Sequence, residues 1–369
     1  MTSIDDCSPI FEFASLLTDP ICMAHENLRR IEVVDALNPW DCKLVNFVRK
    51  IFLWLVVLGY AFLAAFTTLP GIALRGVAAH WQKEPFICEK SAFAKQLPKD
   101  RTFTLLSWNC CCVAGGYTIT DGGVVPWRDR IDAIIDRIAE QGADVNCLYE
   151  TFDTKSAFLI AEKLKERGYG HIYYDIGPRA IGVSSGILIA SKFEIQNPEF
   201  TLFPQDTLVG RTKNAAKGVF GFDLVSDGES FARIFSTHLQ HSEEPQFPTQ
   251  EEIEGRKRQM EMISSKVGQV KDRCVIVTGD LNMDDNELSS FSWPVHLDQG
   301  PPIEGKTWGG DELCARLTGK RISGALNLDH TLGSAKQLVT VLGETGYDPT
   351  RIDPRVLSDH RPLISWVQL

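Results

Sequence analysis

Between residues 102 and 369 the chain alternates short apolar runs with polar, turn-rich stretches, and several of the runs stop on a polar residue. Phe103 to Asn109 reads as a strand. Pro126 opens a helix on which Trp127, Ile131, Ile134, Ile135 and Ile138 share one face, and Gly142 ends it. Asp144 to Tyr149 reads as the next strand, and Asp153 or Thr154 caps a second helix that Gly168 stops. Further strands are predicted at 171–176, 186–190, 218–224, 231–239 and 274–278, with a long helix over 249–267 before the last of them. A loop-rich stretch then runs to about residue 324, and short strands at 325–332 and 362–367 close the chain. Strand–helix alternation followed by consecutive strands implies a layered α/β sandwich of mixed sheets.

A different pattern precedes this region. Residues 51–74 form an uncharged run of 24 positions, and about 20 apolar residues suffice to cross a bilayer as a helix. The run starts too far into the chain for an ordinary signal peptide, and few helices of soluble proteins are apolar on every face at this length. A membrane segment over 47–76 is therefore expected, and Pro70 and Gly71 near its end leave open whether it spans or turns back. Lys43, Arg49 and Lys50 before the run balance Arg75, Lys83 and Lys90 after it, so flanking charge sets no orientation. Residues 1–46 carry no motif, and 77–101 read as a juxtamembrane connector with Trp81 at the interface.

Composition narrows the function classes. Apolar content of 44% and charged content of 23% fit a globular protein of 369 residues with one large domain and an appendage. A formal net charge of -10 disfavours a protein held mainly by nucleic-acid phosphates. The ten cysteines show no C-x-x-C pair, and Cys110, Cys111 and Cys112 are consecutive, which favours reduced thiols facing a reducing, cytosolic side.

The polar residues at the strand ends carry the candidate chemistry: Asn109, Glu150, His238, Asp280 with Asn282, and Asp359 with His360. Magnesium takes hard oxygen ligands and keeps several waters, so one or two carboxylates hold it. Glu150 is the first choice of metal ligand, with Asn109 and Asp359 beside it and manganese as an alternative ion. Such a metal offsets charge that builds up as water attacks phosphorus. A histidine handles the proton; His360 is favoured because Asp329 is placed to fix its tautomer, and His238 is placed to bond the phosphate from the other side. Each residue alone has a bland reading as a turn former or a solvated charge. Their joint occurrence points to a metal-dependent phosphodiesterase.

At these motifs (SWN, LYE, THL, GDLN, LDH and SDHRP) the chain resembles the endonuclease/exonuclease/phosphatase superfamily over roughly residues 102–369. The resemblance implies a four-layer α/β sandwich of the deoxyribonuclease I type. It implies magnesium on Glu150, and His360 as base or phosphate stabiliser oriented by Asp329. It also implies Asp280 positioning the attacking water with Asn282 beside it. Within that superfamily SSGILIASKFEI, AAKGVFGFDL and FSTHLQHS look most like membrane-associated neutral sphingomyelinases, with Lys217 matching a lysine near the phosphate. Thr212 stands where those enzymes carry an aspartate, so the contact an aspartate there makes to the lysine is missing unless Asp206 or another residue substitutes. The resemblance implies a membrane phospholipid substrate. A nuclease or phosphoinositide phosphatase of the same fold is the alternative, and a non-catalytic membrane scaffold a second one. Residues 300–307 match the letters of a phosphate-cradling loop, but Pro301 and Pro302 lack the N–H groups that such a loop needs. His241, just past the His238 strand, is a further candidate for substrate contact.

Overall fold

The computed structural model describes residues 8–38, 40–82, 84–91, 94–113, 124–177, 183–309, 324–343 and 357–369. Two helices come first, α1 (Ser8–Leu37) and α2 (Lys43–Trp81). The order then runs β1 (Ile87–Lys90), β2 (Thr102–Asn109), α3 (Ile131–Gln141), β3 (Val145–Tyr149), α4 (Thr154–Glu166), β4 (His171–Tyr174), β5 (Leu188–Ser191) and β6 (Glu194–Leu202). It continues through β7 (Gly218–Ser226), β8 (Glu229–His238), α5 (Gln250–Val267), β9 (Cys274–Asp280), α6 (Asp285–Ser289), β10 (Asp329–Gly333), β11 (Gln337–Leu342) and β12 (Leu363–Gln368).

The strands form a seven-stranded sheet, β1-β4-β5-β3-β2-β12-β11, and a five-stranded sheet, β10-β9-β8-β7-β6. Residues of period two on the facing sides, including Phe103, Leu105 and Cys147 of the first sheet and Phe220, Phe222 and Ile234 of the second, make the core between them. The opposite face of the first sheet packs on Ile134 and Ile138 of α3 and Ile160 and Leu164 of α4. The opposite face of the second packs on Met260, Ile263 and Val267 of α5. The result is the expected four-layer arrangement of helix, sheet, sheet and helix.

Local signals act as read. Gly142 takes φ 60° and its N–H caps α3 through the carbonyl of Ile138. Asp153 accepts from the N–H of Lys155 to start α4, and Thr249 and Glu252 form a reciprocal capping box at α5. Pro126 is followed by a single 3-10 turn (Trp127–Asp129) before α3, so the helix begins at Ile131.

Two points of the amino-terminal region were not fixed by the sequence. The chain does not turn back at Pro70: α2 is one helix of 39 residues. A proline forfeits one backbone bond there, while Gly71 lets α1 approach so closely that a Cβ would lie 2.8 Å from Thr18 Cγ2. The stretch 77–101, read as a connector, completes α2 and adds β1 to the edge of the first sheet, antiparallel to β4. β6 and β11 also went unread in the sequence.

Candidate active site

One row of paired residues assembles half of the site. In the five-stranded sheet His238 at the end of β8 is the register partner of Asp280 in parallel β9, and Asp280 is the partner of Asp329 in antiparallel β10. The three side chains therefore leave the sheet side by side. Gly279 is required for this: a Cβ there would sit 1.9 Å from the carbonyl oxygen of Thr237 on the neighbouring strand. The seven-stranded sheet supplies the other half, with Asn109 ending β2, Glu150 following β3, and His360 just ahead of β12.

The two halves meet at Asp280. Asn109 Nδ2 donates to Asp280 Oδ2 at 2.9 Å, His238 Nε2 lies 3.4 Å from the same oxygen, and His360 Nε2 lies 3.7 Å from it. His360 Nδ1 is 2.7 Å from Asp329 Oδ2. His238 Nε2 also stands 3.9 Å from Glu150 Oε1. Asp280 Oδ1 accepts the N–H of Asn282 at 3.0 Å. Glu150 and Asn282 take φ of 58° and 51°, a left-handed conformation uncommon outside glycine that costs of order 1–3 kcal/mol each. Both occur where a strand ends and a side chain must turn into the cleft. Lys217 is buried; its Nζ donates to the Leu239 carbonyl at 3.1 Å and stands 5.8 Å from the Phe152 ring centre.

The electrostatics divide the groups. Burial works against a charged His360, but the Asp329 and Asp280 carboxylates outweigh it and hold His360 well above its ordinary range. Burial, with Lys217 nearby, holds His238 well below its own and keeps it neutral. Burial and the charge of Asp359 push Glu150 up to about 7, and burial lowers Lys217 to about 7 against the pull of Glu150 and Asp280. Burial and Asp329 raise Asp280.

The oxygen-rich cleft fits a hard divalent cation. Asp280, Asp329 and His360 have ligand atoms within 4.8 Å of one another, a group of the kind that holds a metal ion. This grouping differs from the expected set of Glu150, Asn109 and Asp359. His360 Nδ1 and Asp329 are already bonded to each other, whereas Glu150, raised by burial and by the charge of Asp359, would gain from a nearby cation. Asp329 Oδ1 and Asn282 Nδ2 are buried with no hydrogen-bond partner among the described residues and remain available to a bound group.

Four residues brace the site that sequence reading did not single out. Thr307 Oγ1 accepts the N–H groups of Leu328 and Asp329 at 2.9 and 3.1 Å. Ser358 Oγ donates to the Asn109 carbonyl at 2.6 Å, and Trp108 Nε1 to the His360 carbonyl at 3.0 Å. Arg130 donates to the carbonyls of Val125, Cys110, Cys111 and Leu357. Trp108 and Ser358 lie inside the SWN and SDHRP motifs and Thr307 ends the 300–307 stretch, while Arg130 belongs to no motif; only the tertiary structure brings their partners together.

At the mouth, Thr212 Oγ1 is 2.7 Å from His241 Nδ1 and accepts from Gln240 Nε2 at 3.2 Å. Thr212 thus braces His241 rather than Lys217. Asp206 does not replace the missing aspartate, because it pairs with Arg258 at 2.8 Å. Cys110, Cys111 and Cys112 are buried free thiols, and burial raises all three.

Residues 106–360 match the model of the endonuclease/exonuclease/phosphatase family. The chain belongs to this family. Sphingomyelin phosphodiesterase 5 of Danio rerio is 34% identical over 86 residues, which cover 21% of this chain and 15% of that relative's length. Among solved structures, sphingomyelinase C from Streptomyces griseocarneus superposes with a TM-score of 0.57 at 18% identity, over 72% of this chain and 99% of that one. A beta toxin from Staphylococcus aureus with bound magnesium ions gives 0.58 at 18%, over 72% and 99%. Truncated TDP2 from Caenorhabditis elegans gives 0.55 at 18%, over 73% and 98%. These likenesses establish a deoxyribonuclease I-like fold. With the family match, they indicate a phosphoric diester hydrolase.

Proposed function

We propose that the protein is a membrane-attached, magnesium-dependent phosphodiesterase that removes a phospholipid headgroup, with sphingomyelin the first candidate substrate. The observation that carries this reading is the convergence on the Asp280 carboxylate of Asn109, His238 and His360, drawn from both sheets. It is supported by the family match and by the apolar α2, with 11% of its most apolar window buried.

Glu150, with Asp359 and Asn109, would hold the magnesium ion; manganese suits the same oxygen donors. The bound ion supplies charge neutralisation at a phosphate oxygen. Asp280 orients the attacking water, its second oxygen being fixed by the Asn282 N–H. Charged His360, locked by Asp329, donates a proton to the departing alkoxide or bonds a phosphate oxygen. Neutral His238 and buried Lys217 would contact the phosphate from the other wall.

The test is a panel of sphingomyelin, phosphatidylcholine, phosphoinositides and plasmid DNA, each with magnesium and with chelator. Choline-phosphate release that requires magnesium, and is lost in Glu150→Ala, is expected. Plasmid nicking without lipid turnover would reject the lipid reading in favour of a nuclease.

A further inference from the structure

The arrangement of α1 and α2 bears on how the chain meets lipid. The two helices pack antiparallel: Gly71 lies against Ala14 and Thr18, Lys50 pairs with Asp35, and Asn46 bonds the Asn38 carbonyl. On α2 the buried residues Val57, Ala64, Gly71 and Ala78 recur every seven positions and face α1. Among the described residues nothing covers the opposite side. Val48, Leu55, Phe62 and Leu69, again seven apart, are all exposed, Leu69 at 75%.

The other side of α1 is fastened to the hydrolase domain. Arg128 pairs with Asp19 and Glu26, Arg30 with Asp129 at 2.9 Å, and Lys155 with Asp19 at 3.0 Å. Phe11 of α1 and Ala78 of α2 enter the same core as Trp127 and Ile160. The charged stretch of α1, residues 19–35, lies alongside the apolar middle of α2.

This packing is incompatible with α2 crossing a bilayer. A perpendicular α2 would draw Glu26, Arg30, Arg128 and Asp129 into hydrocarbon, where each charge is costly. At 39 residues α2 is also about 58 Å long, nearly twice the hydrocarbon thickness of about 30 Å. Resting on the proposed membrane attachment, we infer that α2 lies in the plane of the bilayer surface, its outer arc in lipid and α1 between it and the hydrolase domain. A lipid surface suits that arc better than a second copy of the chain does. Adjacent residues such as Trp54–Leu55 and Phe62–Leu63 are exposed together, so the apolar arc is wider than the two-in-seven seam of a helix pair.

The two ends of α2 decide the matter. Cys42 is exposed just before the helix, and Glu84 is exposed just beyond it. Full-length Glu84→Cys protein is added to preformed, sealed vesicles of phosphatidylcholine and phosphatidylserine. After flotation it is treated with a membrane-impermeant maleimide, and labelling at each position is read by peptide mass spectrometry. In-plane binding gives modification of both cysteines to within twofold of that in detergent. Protection of either one until detergent opens the vesicles, a tenfold difference, means that α2 spans; the in-plane inference then fails while membrane attachment stands. Failure to float overturns both, and dimers in buffer that do not float assign the bare arc to a second copy.

Discussion

Arg130 shows how a single residue outside any motif governs the site. Arg130 is 2% exposed and its guanidinium bonds four carbonyls, three of which, those of Cys110, Cys111 and Leu357, adjoin the segments carrying Asn109 and His360. Asn109 immediately precedes Cys110, and Leu357 lies three residues before His360, so the arginine ties the two strand ends of the seven-stranded sheet together. Glutamine in its place leaves buried carbonyls unpaired, at about 1–3 kcal/mol for each. Arg130→Gln is expected to lower the melting temperature and to cut kcat about 10–100-fold with a smaller change in KM, since a 1 Å misplacement costs rate steeply. Activity measured well below the melting temperature separates the effects. A destabilised variant with unchanged kcat would mean that the arginine only packs.

Among the secondary-structure elements, α1 is held to the hydrolase domain by a buried carboxylate. Glu26 is fully buried beside Arg128, and burial, only partly offset by that arginine, pushes it up to about 7 from an ordinary 4.5. The protonated form is therefore the one the folded state favours. Its contribution is complete below pH 4.5 and is lost as pH rises through 7, amounting to on the order of 3 kcal/mol. Detergent-solubilised protein should accordingly show a melting temperature that falls between pH 5 and 8 more steeply in wild type than in Glu26→Gln. Parallel curves for the two proteins would refute the assignment. None of this was visible in the sequence, because Asp19, Glu26 and Arg30 find partners about a hundred positions away. The strands that end in the site were legible, since LYE, THL and GDLN join an apolar run to a polar terminus. β6, with its exposed Gln196 and Asn197 and a register shift before Glu199, gave no clean alternation to read.

Taken whole, the molecule places its acidic groups across a seam. Glu150 and Asp359 come from the seven-stranded sheet side, Asp280 and Asp329 from the five-stranded one, and Tyr149 bridges the sheets through Ser236 at 3.0 Å. Burial first, and then the neighbouring carboxylates Asp359 and Asp329, push Glu150 and Asp280 upward. A divalent cation in the cleft would offset those negative charges and bind only the state in which the sheets are assembled. Ligand at a hundred times its dissociation constant stabilises a fold by about 2.7 kcal/mol. For a domain of this size that corresponds to roughly 5–10 °C in melting temperature. Magnesium is therefore expected to raise the melting temperature of the wild type by that amount and that of Glu150→Gln by much less, with calcium and chelator as controls. A wild-type shift retained in full by Glu150→Gln would move the metal away from Glu150 and towards the Asp280, Asp329 and His360 group.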